Sequence, residues 1–229
     1  MIFLRRTGRD PGDSRKENNM ENKQTDYEMQ SEAPRIQTRT LTGLALFTAI
    51  VIVLQLLGSV IRFGPFSISL VLIPIVVGAA LYGPWAGAWL GFVFGLVVLL
   101  SGDAGAFMVV NPLGTIVTVL LKGSAAGCAA GAVYRLLEKK SPWAGAFAAA
   151  FTAPSVNTGL FLLGCLVFFL PTVTEWSTAA GFPHVGSYMI FGLVGGNFLF
   201  ELLVNLILSP VIMRLIRLGR ASAHNRDNR

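Results

Sequence analysis

The sequence predicts an all-α integral membrane protein: a compact bundle of six transmembrane helices with both termini in the cytoplasm. Three observations carry that prediction. Of the 229 residues, 53% are hydrophobic and only 13% charged, whereas a soluble domain carries about a quarter charged residues. The apolar residues fall in long uncharged runs of the length a bilayer crossing requires. The net charge of +6 is concentrated where those runs end, not in a soluble basic patch, so nucleic acid is not an expected partner.

Residues 1–38 are polar and without a helical apolar period, which predicts a disordered or weakly helical cytoplasmic tail. Met1 opens an apolar run too short for a signal peptide, and Met20 is a second possible start. The membrane domain is expected over residues 39–219, followed by a short basic cytoplasmic tail over 220–229. Residues 41–61 carry no charge and make the first span. Arg62 interrupts, and residues 63–102 form a second uncharged stretch, too long for one crossing. It is broken by Tyr82-Gly83-Pro84-Trp85, a turn flanked by interfacial aromatics. The second and third spans are therefore expected near 66–82 and 84–101.

Asp103 marks the next loop, and the fourth span is expected over 111–137 with Lys122 inside it. A charged turn of Arg135, Glu138, Lys139 and Lys140 leads through Ser141-Pro142 into a fifth span over 143–170, with Pro154 in its interior as a kink. A loop over 171–186 holds Glu175, Trp176 and His184, and the sixth span is expected over 187–218. With six spans and the amino terminus inside, Arg35, Arg39, Arg135, Lys139, Lys140, Arg214, Arg217 and Arg220 are all cytoplasmic, and Arg62 alone is outside. An odd number of spans would break this positive-inside bias.

Small residues recur at four-residue spacing in three spans: Ala45 and Ala49 in the first, Gly87, Gly91 and Gly95 in the third, Gly123, Gly127 and Gly131 in the fourth. Such stripes let helix backbones approach closely. They serve either packing within the bundle or contact with a partner protein in the membrane.

Ionisable groups inside a span cost about 2.5–3.5 kcal/mol on insertion scales and point to function. Lys122 and Glu201 are two such groups. Asn111, Thr115, Thr118 and Lys122 share one helix face, as do Asn197, Glu201 and Asn205, while Asn157 and Thr158 lie on the fifth span and Gln55 on the first. These groups need partners away from lipid, so a polar pocket or seam is expected among spans four, five and six. Two readings compete. In one, Lys122 and Glu201 form an ion pair and the amides and hydroxyls glue the bundle. In the other, Lys122 meets the carboxylate or phosphate of a solute that the amides orient. Lys122 lies roughly 16 Å below Asn111 at 1.5 Å per residue, so a solute near the outer surface meets Asn111 and Thr115 first, with Glu201 and Asn205 deeper.

Several functions lack their residues. There is no G-x-x-x-x-G-K-[ST] loop for ATP. The histidines, His184 and His224, sit in a loop and a tail, which argues against a serine–histidine protease, a haem protein or a zinc enzyme. Cys128 and Cys165 lie in apolar stretches and read as small buried hydrophobes. No catalytic residue, cofactor or metal site is expected.

Six short spans, cytoplasmic ends, Ala45-Leu46-Phe47-Thr48-Ala49 and the run from Leu70 through Tyr82-Gly83-Pro84-Trp85 to Ala88 together resemble the substrate-binding S components of energy-coupling factor (ECF) transporters. The Ala45-x-x-x-Ala49 pattern matches that family's first-helix motif, and the resemblance extends over about residues 40–218. It implies a subunit of the bacterial cell membrane that captures a water-soluble vitamin or related micronutrient. Such a subunit docks through its first helix, here Ala45 and Ala49, on a T component joined to two ATPases. Carried onto this chain, the family's binding zone selects Asn111, Thr115, Asn157, Thr158 and Asn197, with Lys122 added. Trp176 and His184 are candidates for closing over a ring. A solitary facilitator and a non-transport membrane assembly protein are the alternatives.

Overall fold

The computed structural model describes Met20, Lys23 and residues 40–59, 62–63, 66–67 and 70–227. The expected tail over 1–38 lies outside the described residues apart from Met20 and Lys23, as do Arg35, Arg39 and the side chains of Arg62 and of Arg220 onward. The chain divides into Met1–Gly43 and Leu44–Arg229, and the second unit is the bundle described below.

Five helices are long and apolar enough to cross a membrane: α1 (Thr40–Ser59), α3 (Pro84–Ser101), α5 (Pro112–Glu138), α6 (Pro142–Phe168) and α8 (Val185–Ile207). Between them lie α2 (Leu72–Tyr82), apolar but shorter, α4 (Gly105–Val110) and α7 (Leu170–Ala179), and α9 (Ser209–Asp227) closes the chain. Arg62–Phe63 and Phe66–Ser67 pair as a small antiparallel ribbon.

Local chemistry sets the boundaries. Gly83 takes φ 104° between α2 and α3, a conformation open to glycine and closed to most other residues. Pro84, Pro112 and Pro142 then stand at the first position of α3, α5 and α6, where the missing N–H costs nothing. Asn111 and Ser141 cap α5 and α6 by accepting from the Gly114 and Ala144 amides at 2.9 and 3.3 Å.

Four expectations need correction. The second span starts at Leu72, not near 66, because residues 66–67 belong to the ribbon. The region after Asp103 holds the short helix α4, and the expected loop over 171–186 is largely α7, entered through Pro171 in its first turn. The expected sixth span over 187–218 is two helices that part at Leu208. Pro210 has no N–H to give the preceding turn, so the helix ends and another begins with the proline in its first turn.

The bundle core is built mainly of small and β-branched side chains. Val76, Val77 and Ala80 of α2 pack with Ala130 and Tyr134 of α5, Ala146, Ala149, Ala150 and Ala153 of α6, and Ile212, Met213 and Ile216 of α9. A second cluster joins Val51 of α1 and Ile75 of α2 to Leu90, Phe94 and Val97 of α3. The glycines make the closest approaches. A Cβ at Gly91 would collide with the Gly123 carbonyl, and one at Gly87 with the Gly127 carbonyl. The stripes of α3 and α5 therefore face each other, which settles them as packing within the bundle. Outside, large apolar side chains such as Leu100, Val109, Leu113 and Phe191 stand at least 73% exposed among many other exposed apolar residues, an extent of apolar surface that suits lipid rather than water.

Candidate functional site

The polar faces of α5, α6 and α8 converge on one cavity of about 270 Å³. Thr115, Thr118 and Lys122 come from α5, Asn157, Thr158 and Phe161 from α6, Asn197 and Glu201 from α8. Gln55 at the end of α1 and Asp103 after α3 complete the wall, joined by a 2.8 Å hydrogen bond from Gln55 Nε2 to Asp103 Oδ2. The helix ends in play are the C-terminal ends of α1 and α3, the start of α5 and the second half of α6, so the cavity lies toward one end of the bundle. Arg135 lies at the far end of α5, roughly 25 Å along the axis from Thr118, and Lys139 and Lys140 follow just beyond that end.

Lys122 sits with its Nζ 5.0 Å from the centre of the Phe161 ring, where the π face favours a cation. It makes no salt bridge with Glu201, although both line the cavity. Of the two readings of this pair, the direct ion pair is the one this geometry lacks. Glu201 is 4% exposed; its Oε1 accepts from Asn197 Nδ2 at 3.4 Å, and its Oε2 has no partner. Thr118 Oγ1, Asn157 Oδ1 and Asn197 Oδ1 are likewise buried without partners. Four unpartnered polar atoms on one cavity wall are more than packing glue would leave, since each unmade bond costs about 1–3 kcal/mol. Thr115 differs, because its hydroxyl donates to the Asn111 carbonyl at 2.8 Å.

An aromatic cluster borders the same cavity. Phe107 of α4 meets Phe161, Phe169 and Trp176 edge to face, with centroids 5.5, 5.0 and 5.4 Å apart. Phe107, Phe161 and Phe169 line the cavity, and Trp176 of α7 braces Phe107 without reaching it. The exposed His184 stands at the entrance to α8, away from the wall.

Of the sequence-selected residues, Thr115, Lys122, Asn157, Thr158 and Asn197 are brought together. Asn111 is not: its side-chain oxygen is used as the α5 cap. Glu201, deeper than Asn111 and Thr115 by the sequence reading, forms part of the wall, whereas Asn205 lies below it and donates to the Glu201 carbonyl at 2.8 Å. Asp103 and Phe107 went unselected. Asp103 is the one acid between two apolar runs, whereas Phe107 sits in the short α4, which has no apolar period to mark it. Ala45 and Ala49 are exposed on α1, beside the exposed Leu46, Val53 and Leu56.

Comparison with known proteins bears on the fold and the family. Over 195 residues the chain is 29% identical to the pantothenic acid transporter PanT of Lactococcus lactis subsp. cremoris (strain MG1363), covering 77% of this chain and 93% of that protein. The solved structure of ThiT from Listeria monocytogenes superposes with a TM-score of 0.55 at 21% identity, covering 80% of this chain and 99% of that one, and so shows the same fold. Residues 39–216 match the family described as "ECF transporter, substrate-specific component". The chain is a multi-pass membrane protein and belongs to the family of ECF transporter substrate-specific components.

Proposed function

We propose that this chain captures pantothenate, or an acid closely like it, from outside the cell and delivers it through a T component driven by two ATPases. The observation that carries the reading is the cavity itself. Among the described residues it holds one cation, Lys122, to meet a carboxylate. Around it stand amide and hydroxyl groups with unused hydrogen-bonding capacity, enough to hold a polar ligand. The likeness to PanT points to the same ligand. Thr115, Lys122, Asn157, Thr158 and Asn197 are the proposed contacts. Asn111 acts indirectly, by fixing the start of α5.

Counting α2 as the sixth span puts both termini on one side. Arg135, Lys139 and Lys140, with Arg214 and Arg217 of α9, then face the cytoplasm of the cell membrane, and the cavity end faces outward. The exposed Ala45 and Ala49 face is the proposed docking surface for the T component, because alanines admit a partner backbone closely. In proteoliposomes, pantothenate uptake is expected only when this chain, the T component and both ATPases are present with ATP. Uptake by this chain alone, without ATPases, would overturn the reading in favour of a facilitator.

A further inference from the structure

We propose that Glu201 is the specificity residue of this cavity, selecting acids that carry a hydroxyl group over the same acids without one. The inference rests on the cavity being the site of an acidic ligand, and it assigns the end of that ligand remote from its carboxylate.

The wall is unbalanced in its hydrogen-bonding capacity. Lys122 supplies donors. Among the unpartnered atoms, Asn157 Oδ1 and Asn197 Oδ1 can only accept, Glu201 Oε2 accepts as a carboxylate, and the Thr118 hydroxyl can do either. A ligand bearing nothing but carboxylate and carbonyl oxygens would satisfy Lys122 and leave three buried acceptors unmet. The ligand must therefore bring donors of its own. Glu201 is the strongest of the three acceptors because it is a carboxylate, and a hydrogen bond to a charged group is worth about twice a neutral one. It is also the most confined, at 4% exposure.

The state of Glu201 favours a hydroxyl over an N–H. Its first oxygen already takes the Asn197 amide, but at 3.4 Å, the long limit of a hydrogen bond. Asn197 Nδ2 thus has reach left for a second acceptor beside Glu201. A ligand hydroxyl donates to Glu201 Oε2 and accepts from Asn197 Nδ2 at once, whereas an N–H only donates. Asn205 holds this part of α8 from below through the Glu201 carbonyl at 2.8 Å. Solvent is a poor substitute donor where the wall is this buried, so an acid lacking the hydroxyl leaves the carboxylate unpaired and is rejected.

Calorimetric titrations of the purified full chain with pantothenate and with its dideoxy analogue, which keeps the carboxylate and amide but lacks both hydroxyls, test the assignment. The native protein is expected to prefer pantothenate by about 10- to 100-fold. Glu201→Leu is expected to narrow that preference to less than about threefold, with Glu201→Gln between the two, because the amide accepts without charge. Lys122→Met is expected to weaken both ligands alike and keep their ratio. Melting temperatures identify any variant that has lost its fold, and either Glu201 variant alone suffices to decide. A native preference that persists unchanged in a folded Glu201 variant overturns the role of Glu201 and leaves the proposed function standing. Failure of the native protein to bind pantothenate at all overturns the proposed function, and with it this assignment.

Discussion

The glycine seam between α3 and α5 and the alanine face of α1 carry the same sequence signature, small residues four apart, and meet opposite fates. In the seam, Gly87 and Gly91 lie against the carbonyls of Gly127 and Gly123, with no room for a methyl group on either side. On α1, Ala45 and Ala49 stand exposed, and the helix buries little of its surface. Periodicity alone states that a backbone will be approached closely; it does not state by which backbone. The difference lies in the partner. Two glycine stripes within one chain satisfy each other, whereas the α1 stripe has no complement among the described residues of the bundle.

That contrast can be broken by substitution. The largest effect is expected from Gly91→Leu, which drives a side chain into the Gly123 carbonyl; overpacking of this kind should cost about 3 kcal/mol or more. Loss of a monodisperse protein on gel filtration, or a collapsed melting transition, would show it. A native-like melting curve would mean that the seam is looser than the structure places it. Ala49→Trp lies on the exposed face and should change stability by less than about 0.5 kcal/mol. Uptake through the assembled transporter should nonetheless fall by about tenfold or more, with ligand binding retained. Loss of binding together with uptake would remove the docking role. The smallest effect is expected from Asn111→Ala, which deletes the cap of α5, the helix that carries half of the seam. A loss of about 1 kcal/mol in stability is expected, with ligand affinity kept within about twofold. A large loss of affinity at unchanged stability would restore Asn111 to the ligand contacts.

The sequence made the membrane-spanning helices legible because each span needs a long run without charge, and Arg62, Asp103 and the Arg135–Lys140 cluster punctuate those runs. It was less informative at the ends. The α7 helix begins at Leu170-Pro171, where a turn and a helix start look alike. The break at Leu208 needed the proline to be weighed against a strong apolar run on both sides. Within the site, helical periodicity placed Thr115, Thr118 and Lys122 on one face, and the cavity contains all three. Depth was harder to read. Glu201 counts as deeper than Asn111 and Thr115, but α8 holds a π-helical segment over Tyr188–Val194, and the register counted from ideal rise does not carry through such a turn. Phe107 escaped notice because an isolated aromatic in a six-residue helix has no pattern to announce it.

The claim at the centre of this account is that one cavity, organised by Lys122, holds an acidic micronutrient without help from the rest of the transporter. Calorimetric titration of pantothenate into the purified chain, with no T component or ATPase present, tests it most directly. The account predicts saturable binding at one site per chain. It also predicts a marked weakening of that binding in Lys122→Met with a cooperative melting transition retained, since methionine keeps the apolar length of the lysine beside Phe161. A folded native protein that takes up no pantothenate, or a Lys122→Met protein that binds it as well as the native one, would contradict it.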